Sequence, residues 1–351
     1  MDSLLHTPPL SIRIRRDLVS GRGNRQLSRP RRHGDGVAAR HTAAQTRREL
    51  AEASLAKNTR YAYASDLKQF IKWGGRIPCS AAAVESYLMH RAYDLSVATL
   101  CRRVMAIRNA HVERGLRSPT DDPEVKKVLR GIRRQFGVAQ KQAKPLTRKL
   151  LRRIVRSMDH SPIDRRDRAL LLLGFAGGFR RSELVALDVE DLEPTEEGLM
   201  VRIKRSKTDQ EQRGRLVAIP LLGGRLCPVT ALEKWLKSAR IKAGPIFRSF
   251  DRGGGLTALR LDGGYVSQVV KDRLEALGID PKSYSAHSLR AGLVTEAARA
   301  GVPSWKIRQQ TGHRSEATLA RYVRDAELWQ NNSALAAFGR RHGIRRRERT
   351  R

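Results

Sequence analysis

Apolar residues recur at intervals of three and four through two long blocks of the chain, and this pattern predicts helices. In the first block, about 46–137, three amphipathic stretches begin directly after Ser80, after Ser96 and at Asp122-Pro123, as expected of residues that open helices. A fourth stretch follows Asn58-Thr59, which could cap it. The block is therefore predicted to be a small bundle of helices.

The second block begins at Thr147, after a polar, basic stretch at 140–145 that ends in proline and reads as a linker. Residues 169–176 are apolar on nearly every face of a helix, so that helix must be buried. Clear alternation of apolar and polar residues occurs at 199–203 and again at 217–219, which predicts a β-hairpin closed by a polar turn. The predicted fold class is therefore mainly α, with one small antiparallel hairpin.

The charge of the chain indicates what kind of partner it binds. Lysine and arginine number 70 against 35 aspartates and glutamates, a net charge of +35. An excess of this size favours a polyanion, nucleic acid rather than an anionic membrane. With no apolar run long enough to span a membrane and no signal peptide, the protein is predicted to be cytoplasmic. Three scattered cysteines are too few for a disulfide framework or a cysteine-rich zinc site.

Both ends of the chain are rich in arginine and lack hydrophobic periodicity. Residues 1–45 are predicted to be a disordered basic tail, and residues 339–351 a second basic tail. Tails of this kind give salt-dependent affinity for DNA or RNA that does not depend on sequence. The two tails alone would support only the general prediction that the chain binds polyanions.

Candidate chemistry is concentrated between His287 and Tyr322. His287 and Arg290 are three residues apart at the start of a predicted helix, so their side chains lie on one face. There they can converge on an anion near the positive end of the helix. His313, which follows Gly312, and Tyr322 add an imidazole and a phenol, although each taken singly is more often a structural residue.

Three further candidates come from upstream. Arg180 follows the glycine pair at the end of the buried helix, where a rigidly held guanidinium suits phosphate binding. Glu183 could pin Arg180 or another basic group, or could stabilise the N-terminus of its own helix. Lys207 lies in the polar turn of the predicted hairpin, where a lysine is usually only a solvated charge.

As a set, these residues resemble the active site of the tyrosine recombinase (phage integrase) family in order, spacing and predicted context. The six matching positions are Arg180, Lys207, His287, Arg290, His313 and Tyr322. The resemblance covers about residues 46–338. It implies a helical core-binding (SAM-like) domain at 46–140 and, at 141–338, a mostly α catalytic domain with a small antiparallel sheet.

The resemblance also implies a reaction, in which duplex DNA strands are cleaved and rejoined at a specific site through a 3′-phosphotyrosine link. Arg180 and Arg290 would clamp the non-bridging oxygens of the phosphate, and His313 would donate a further hydrogen bond to them. Tyr322 would attack, and Lys207 would protonate the departing 5′ oxygen. His287 is the candidate base, although the group that deprotonates Tyr322 stays open. No cofactor and no catalytic metal are expected, because the phosphotyrosine link conserves the bond energy.

The implied partner is double-stranded DNA with a specific target site, bound by a protein that is a monomer when free and a homotetramer on two sites. In the family, a C-terminal helix docks on a neighbouring protomer, and the apolar residues after Tyr322 are expected to do so here. DNA contacts are predicted at basic residues of both blocks: Arg60, Lys68, Arg102, Arg103, Arg108, Lys204, Arg205, Arg260 and Lys271.

Three other functions remain open at this point. A type IB topoisomerase uses a closely similar residue set but relaxes supercoils without pairing two sites. A catalytically silent DNA-binding relative would keep the fold without the reaction. An RNA-binding module is disfavoured because aromatic residues are only 5% of the chain and no aromatic-bearing sheet is predicted. Among recombinases, the sequence does not choose between integration, excision, inversion and dimer resolution.

Overall fold

The computed structural model describes residues 55, 57–138, 142–204, 214–313, 315–316, 319–320 and 337. The chain divides into two compact units, with the break between residues 141 and 142. The functional labels of the two units, core-binding and catalytic, stay predictions. Both predicted tails, 1–45 and 339–351, lie outside the described residues.

The first unit is helical, as predicted. Its described helices are α1 Lys57–Trp73, α2 Ala81–Arg91, α3 Val97–Val112 and α4 Pro123–Phe136, with a 3₁₀ turn at Pro119–Asp121. The predicted caps are present, since the side chains of Ser80, Ser96 and Asp122 accept hydrogen bonds from the first turns of α2, α3 and α4. The cap predicted for the first helix is wrong: α1 begins at Lys57, so Asn58 and Thr59 lie inside it.

Aromatic and aliphatic side chains form the core of this unit. Phe70 and Tyr87 are fully buried and meet edge to face, with ring centroids 5.0 Å apart. Leu88, Leu100 and Ile107 from α2 and α3 close the same cluster. Phe70 and Tyr87 therefore serve packing, whereas Tyr61 and Tyr93 are exposed.

The second unit mixes helices and short strands. In chain order these are α5 Arg148–Ser157, α6 Pro162–Gly177, α7 Arg181–Ala186, β1 Leu192–Pro194, β2 Gly198–Ile203, β3 Arg215–Pro220, α8 Pro228–Ser238, β4 Arg248–Phe250, β5 Leu256–Arg260, α9 Gly263–Glu275, α10 His287–Arg299 and α11 Ser304–Thr311. None of the described helices combines the length and apolar composition needed to cross a membrane.

The predicted hairpin is confirmed as β2 and β3, which pair antiparallel with Leu199 opposite Ile219 and Val201 opposite Val217. Its alternating residues are buried on one side, as the sequence pattern required. The prediction was incomplete, because β1 adds a third strand to this sheet and β4 pairs with β5 in a second one. These additional strands are three to five residues long and lack apolar alternation, so the sequence carried little signal for them.

Helix α6 forms the centre of the second unit. Residues 169–173 are all buried, as predicted from a helix that is apolar on nearly every face. A Cβ at Gly174 would lie 2.9 Å from Leu184 and 3.1 Å from Leu289, so α7 and α10 approach the helix closely there. The two elements that carry the predicted arginines are thus packed on one rigid helix.

Candidate active site

Arg180 is positioned by the end of α6. Gly178 ends the helix with a left-handed conformation at φ 56°, and a Cβ there would come within 2.8 Å of both Leu293 and Thr311. Arg180 then stands at the N-cap of α7, with a side chain that is 20% exposed. Its Nη1 donates to Glu183 Oε1 at 2.6 Å and its Nη2 donates to the carbonyl of Gly312 at 3.1 Å. The guanidinium is therefore tied to the loop that carries His313.

Glu183 is buried at 2% exposure and serves both of the purposes left open by the sequence. Its Oε2 accepts the backbone N–H of Arg180 at 3.0 Å, which closes the N-terminus of α7, and its Oε1 holds the Arg180 guanidinium. Burial alone would raise the pKa of the Glu183 carboxyl. The charges of Arg215 and Arg180, with the hydrogen bonds from Arg180, outweigh burial and lower that pKa below its usual value.

Arg215 belongs to the same cluster, although the sequence did not single it out. Its Nη2 donates to Glu183 Oε2 and its Nη1 to the carbonyl of Gln310, both at 2.7 Å. Burial lowers its pKa, and the charge of Glu183 opposes that effect. A signal was available: residues 215, 217 and 219 share one face of a strand, and an arginine on the buried face of a predicted strand calls for a partner.

Arg290 lies on α10 and is buried at 2% exposure. Its Nη1 donates to the carbonyl of Gly178, 2.6 Å away, and to the carbonyl of Thr311. These two carbonyls belong to the ends of α6 and α11, so the guanidinium is fixed where both helices terminate. His287, the first residue of α10, keeps part of its surface in solvent, although the rest is packed closely enough for desolvation to act on its ring.

The pKa values of both imidazoles of the site are lowered, which favours their neutral forms. Desolvation, followed by the charges of Arg290 and Arg180, lowers the pKa of His287. The same causes, in the same order, with smaller contributions from His287 and Arg215, lower the pKa of the buried His313 to about 3. Among the residues that the structure describes, the positive charge around His313 comes from arginine side chains. In the described part of the chain, no group of His, Cys, Asp or Glu residues is arranged to hold a metal ion.

The structure thus brings together Arg180, Glu183, His287, Arg290 and His313, with Arg215 in addition. Two of the six predicted catalytic residues, Lys207 and Tyr322, lie outside the described residues, as does Arg205. The nearest described neighbours of Tyr322 in the sequence include Leu319, which is fully buried against Val294, Ala298 and Ile307. The catalytic roles of all six residues stay predictions.

Among the predicted DNA contacts of the first unit, two arginines are paired with one carboxylate. Asp66 is buried and accepts from Arg102 Nε at 2.6 Å, and it also lies 3.7 Å from Arg103 Nε. Arg103 is itself buried and donates to the hydroxyl of Tyr87. Lys68 is exposed, as is Arg60, and Arg108 is paired with Asp121 at 3.4 Å. The DNA contacts of these residues stay predictions, and the structure adds a role in packing for Arg103.

In the second unit, two of the residues predicted to contact DNA, Lys204 and Arg260, interact with acidic side chains, and Arg260 also donates to backbone carbonyls. Lys204 Nζ lies 2.7 Å from Asp191, and this hydrogen bond raises the pKa of the lysine. Arg260 donates to Asp188 at 2.6 Å and to the carbonyl of Val185 at 2.7 Å. Lys271 is half-buried on α9. None of these contacts tests the predicted binding of DNA.

The stability of the second unit is expected to depend on pH through Glu183. Its pKa is lowered in the fold, so its stabilising effect is complete above the unfolded value of about 4.3 and is lost as pH falls through the lower folded value. Glu183→Gln leaves two partly buried arginines without their carboxylate and removes a buried charge, which is expected to cost about 3–5 kcal/mol at pH 6. Urea unfolding between pH 3 and pH 6 measures this difference, which should shrink towards pH 3. The exposed Glu193→Gln is the control, and a difference that does not change with pH contradicts the assignment.

Comparisons with known proteins agree on one family. The phage integrase family matches residues 144–328. An integrase/recombinase XerD homolog of Selenomonas ruminantium is 35% identical over 292 residues, which cover 80% of this chain and 86% of that protein. A crystal structure of XerH site-specific recombinase, bound to a palindromic difH substrate in a post-cleavage complex, matches with a TM-score of 0.59 and 16% identity over 80% of both chains. At that identity the XerH structure supports the fold alone.

Within the family, the short stretches at residues 298–302 and 321–324 predict that this chain is most similar to Cre. The recombinase Cre of Escherichia phage P1 is 25% identical over 276 residues, covering 73% of this chain and 78% of Cre. The XerD homolog is thus more similar than Cre, and the two short stretches were too local to establish a subgroup. The extent of these matches shows that the chain belongs to the phage integrase family and is a tyrosine site-specific recombinase.

Proposed function

We propose that this chain recombines duplex DNA at a specific target site through a 3′-phosphotyrosine intermediate. The observation that carries the proposal is the clustering of Arg180, Arg215 and Arg290 around the loop of His313, with His287 beside Arg290 and Arg180. The transition state of phosphoryl transfer places negative charge on the non-bridging oxygens, and fixed cations in a dry site stabilise that charge strongly. A rigid arginine cluster beside two helix ends suits this task.

Each described residue has a proposed part in holding the phosphate. Arg180 and Arg290 bind the non-bridging oxygens, and their bonds to Glu183 and to the carbonyls of Gly178, Thr311 and Gly312 fix the angle of approach. His313 donates a further hydrogen bond to the same oxygens. Arg215 acts indirectly, because it holds Glu183 and the Gln310 carbonyl and so keeps the loop before His313 in place.

The covalent step is proposed as an in-line exchange of phosphate esters. The phenolic oxygen of Tyr322 forms a bond to phosphorus, and the bond from phosphorus to the 5′ oxygen breaks. The phenolic proton passes to His287, and the lowered pKa of this residue favours the neutral ring that can accept it. Lys207 gives its proton to the 5′ oxygen, which leaves a 3′-phosphotyrosine and a free 5′-hydroxyl. The reverse steps rejoin the strand without a nucleotide cofactor or a catalytic metal.

The assembly is proposed to be a monomer when free and a homotetramer on two target sites. A cavity of ≈ 1220 Å³ opens in the second unit between α5, α6, β3 and α11, with a mostly apolar lining that includes Leu151, Leu172, Phe175, Leu216 and Ile307. The occupant we assign to it is the C-terminal segment of a neighbouring copy, whose sequence at 328–338 offers Leu328, Trp329, Leu335 and Phe338. The reaction is placed in the cytoplasm, on chromosomal, phage or plasmid DNA.

The test is to trap covalent protein–DNA complexes on genomic DNA of the source organism and to sequence the attached ends. The proposal expects ends that fall at a few loci and share one sequence, and Tyr322→Phe as the matched control should yield no ends. Ends scattered over the genome, together with relaxation of unrelated supercoiled plasmid, would indicate a type IB topoisomerase activity instead. No attached DNA from the wild-type protein would indicate a silent relative.

A further inference from the structure

Thr311 is the buried centre of the arginine and histidine cluster. It is the last residue of α11 and is fully buried. Its carbonyl accepts from Arg290, its methyl group lies against Gly178, and its hydroxyl contacts the imidazole of His313. The residue is two positions before His313 and was not among the candidates that the sequence indicated.

A count of hydrogen atoms assigns the tautomer of His313 in the DNA-free protein. Thr311 Oγ1 lies 2.6 Å from the carbonyl oxygen of Ile307 and 2.7 Å from Nδ1 of His313. A carbonyl can only accept, so the single hydroxyl hydrogen of Thr311 points to Ile307. Oγ1 must then accept from Nδ1–H of His313. In a neutral imidazole this leaves Nε2 without hydrogen, an acceptor that cannot donate to a phosphate oxygen.

A second arrangement is available when the hydroxyl turns and moves away from the Ile307 carbonyl. In a regular α-helix the Ile307 carbonyl also accepts the backbone N–H four residues later, so the Thr311 hydroxyl can turn away without leaving that carbonyl unpaired. When it turns to His313 it donates to Nδ1, and the ring carries its hydrogen on Nε2. Nδ1 releases a proton to water and Nε2 takes one from water, so the charge of the ring does not change.

Adding a second proton to the ring is the less favourable route to the same donor. Arg290 and His287 on α10, Arg180 before α7 and Arg215 on β3 all face His313 and oppose a positive charge there. The carboxylate of the cluster, Glu183, is already paired with Arg180 and Arg215. A change of tautomer provides the donor without another cation among these groups.

We propose that the Thr311 hydroxyl is a positioning group that selects the tautomer of His313, and that strand cleavage uses the tautomer with hydrogen on Nε2. The inference rests on the proposed role of His313 as a donor to the scissile phosphate. It goes beyond that role by naming the group that controls it and the atom on which the hydrogen resides in each state.

The direct test uses nitrogen-15 NMR of the full-length protein with labelled histidine. The signal of His313 among the nine histidines is assigned by its loss in His313→Gln. We expect hydrogen on Nδ1 in the free protein and on Nε2 at saturation with inorganic phosphate. Three results overturn the proposal: hydrogen on Nε2 before phosphate is added, no change on its addition, or an imidazolium ring in its presence.

Variants connect the tautomer to the reaction. Thr311→Val keeps the branched shape of the side chain, including the methyl group beside Gly178, and replaces the hydroxyl with a second methyl group. Cleavage of target duplex is expected to slow by about 10-fold to 100-fold with unchanged DNA affinity, as for the loss of one buried hydrogen bond. Thr311→Ser, which retains the hydroxyl, should restore most of the rate. Thr295→Val, at a buried threonine five residues beyond Arg290 on α10, is the matched control.

The outcomes separate this proposal from the proposed function. Thr311→Val as fast as wild type, or Thr311→Ser as slow as Thr311→Val, contradicts the role of the hydroxyl. If Thr311→Val does not fold, the wild-type spectra still decide the tautomer. If the wild-type protein forms no covalent adduct with DNA, the proposed function fails while the spectra still test the assignment of the hydrogen.

Discussion

Tyr322→Phe is expected to abolish the covalent protein–DNA adduct and to leave DNA binding intact. The phenolic oxygen is the proposed nucleophile, and no other atom of the ring can form a phosphate ester. The measurement is the yield of denaturant-resistant complex on labelled target duplex, with affinity measured separately by titration. Since affinity for DNA comes from the many basic groups of the chain, loss of one hydroxyl should change it by less than about 2-fold.

The matched control for this result is Tyr265→Phe. Tyr265 lies in the second unit with its ring over the guanidinium of Arg166, and the substitution removes one hydroxyl outside the candidate site. Adduct formation by this variant should equal that of the wild type. Adduct of undiminished yield from Tyr322→Phe would refute the assignment of the nucleophile.

The second large effect is expected at Arg290. Arg290→Gln removes a buried charge from the proposed phosphate site, and loss of such a group costs about 10³-fold or more in rate. Arg290→Lys should recover only a small part, because one ammonium cannot reproduce the planar fork of donors that the Gly178 and Thr311 carbonyls hold in place. Single-turnover cleavage of the target duplex measures both variants.

The effect of Arg290→Gln on stability must be measured separately from its effect on the cleavage rate, because the Gly178 and Thr311 carbonyls lose their hydrogen-bond donor. We expect a cost in unfolding free energy of about 1–3 kcal/mol, which urea titration measures. Arg299→Gln lies on the same helix with a half-exposed side chain and serves as the control. A folded Arg290→Gln protein that cleaves within 10-fold of the wild-type rate would contradict the proposed clamp.

The sequence predicted those parts of the fold that depend on local pattern. Ser80, Ser96 and Asp122 were recognised as caps because a side chain oxygen and the first turn of its helix are neighbours in the chain. The hairpin was recognised from alternation over five residues. Strands β1, β4 and β5 were not predicted, because their pairing depends on partners elsewhere in the chain and their own residues are mostly polar or half-exposed.

The candidate site divides in the same way. Arg180, His287, Arg290 and His313 could be named because they stand in motifs, and the structure places them around one point. Arg215 was marked only as a charge on the buried face of a predicted strand, and its partner Glu183, 32 residues earlier, could not be named from the sequence. Thr311 carried no such mark, because its place in the site depends on a contact with Arg290, 21 residues earlier. No pattern of spacing reports such contacts when the intervening chain folds into helices and loops.

The measurement that tests the central claim most directly is the chemical identity of the adduct. The wild-type protein is trapped on target duplex and digested with protease and nuclease, and the modified peptide is sequenced by mass spectrometry. The account predicts one modified peptide, with a nucleotide 3′-phosphate esterified to the phenol of Tyr322, and a 5′-hydroxyl on the released strand. Attachment at another residue, or through a 5′-phosphate, would contradict it.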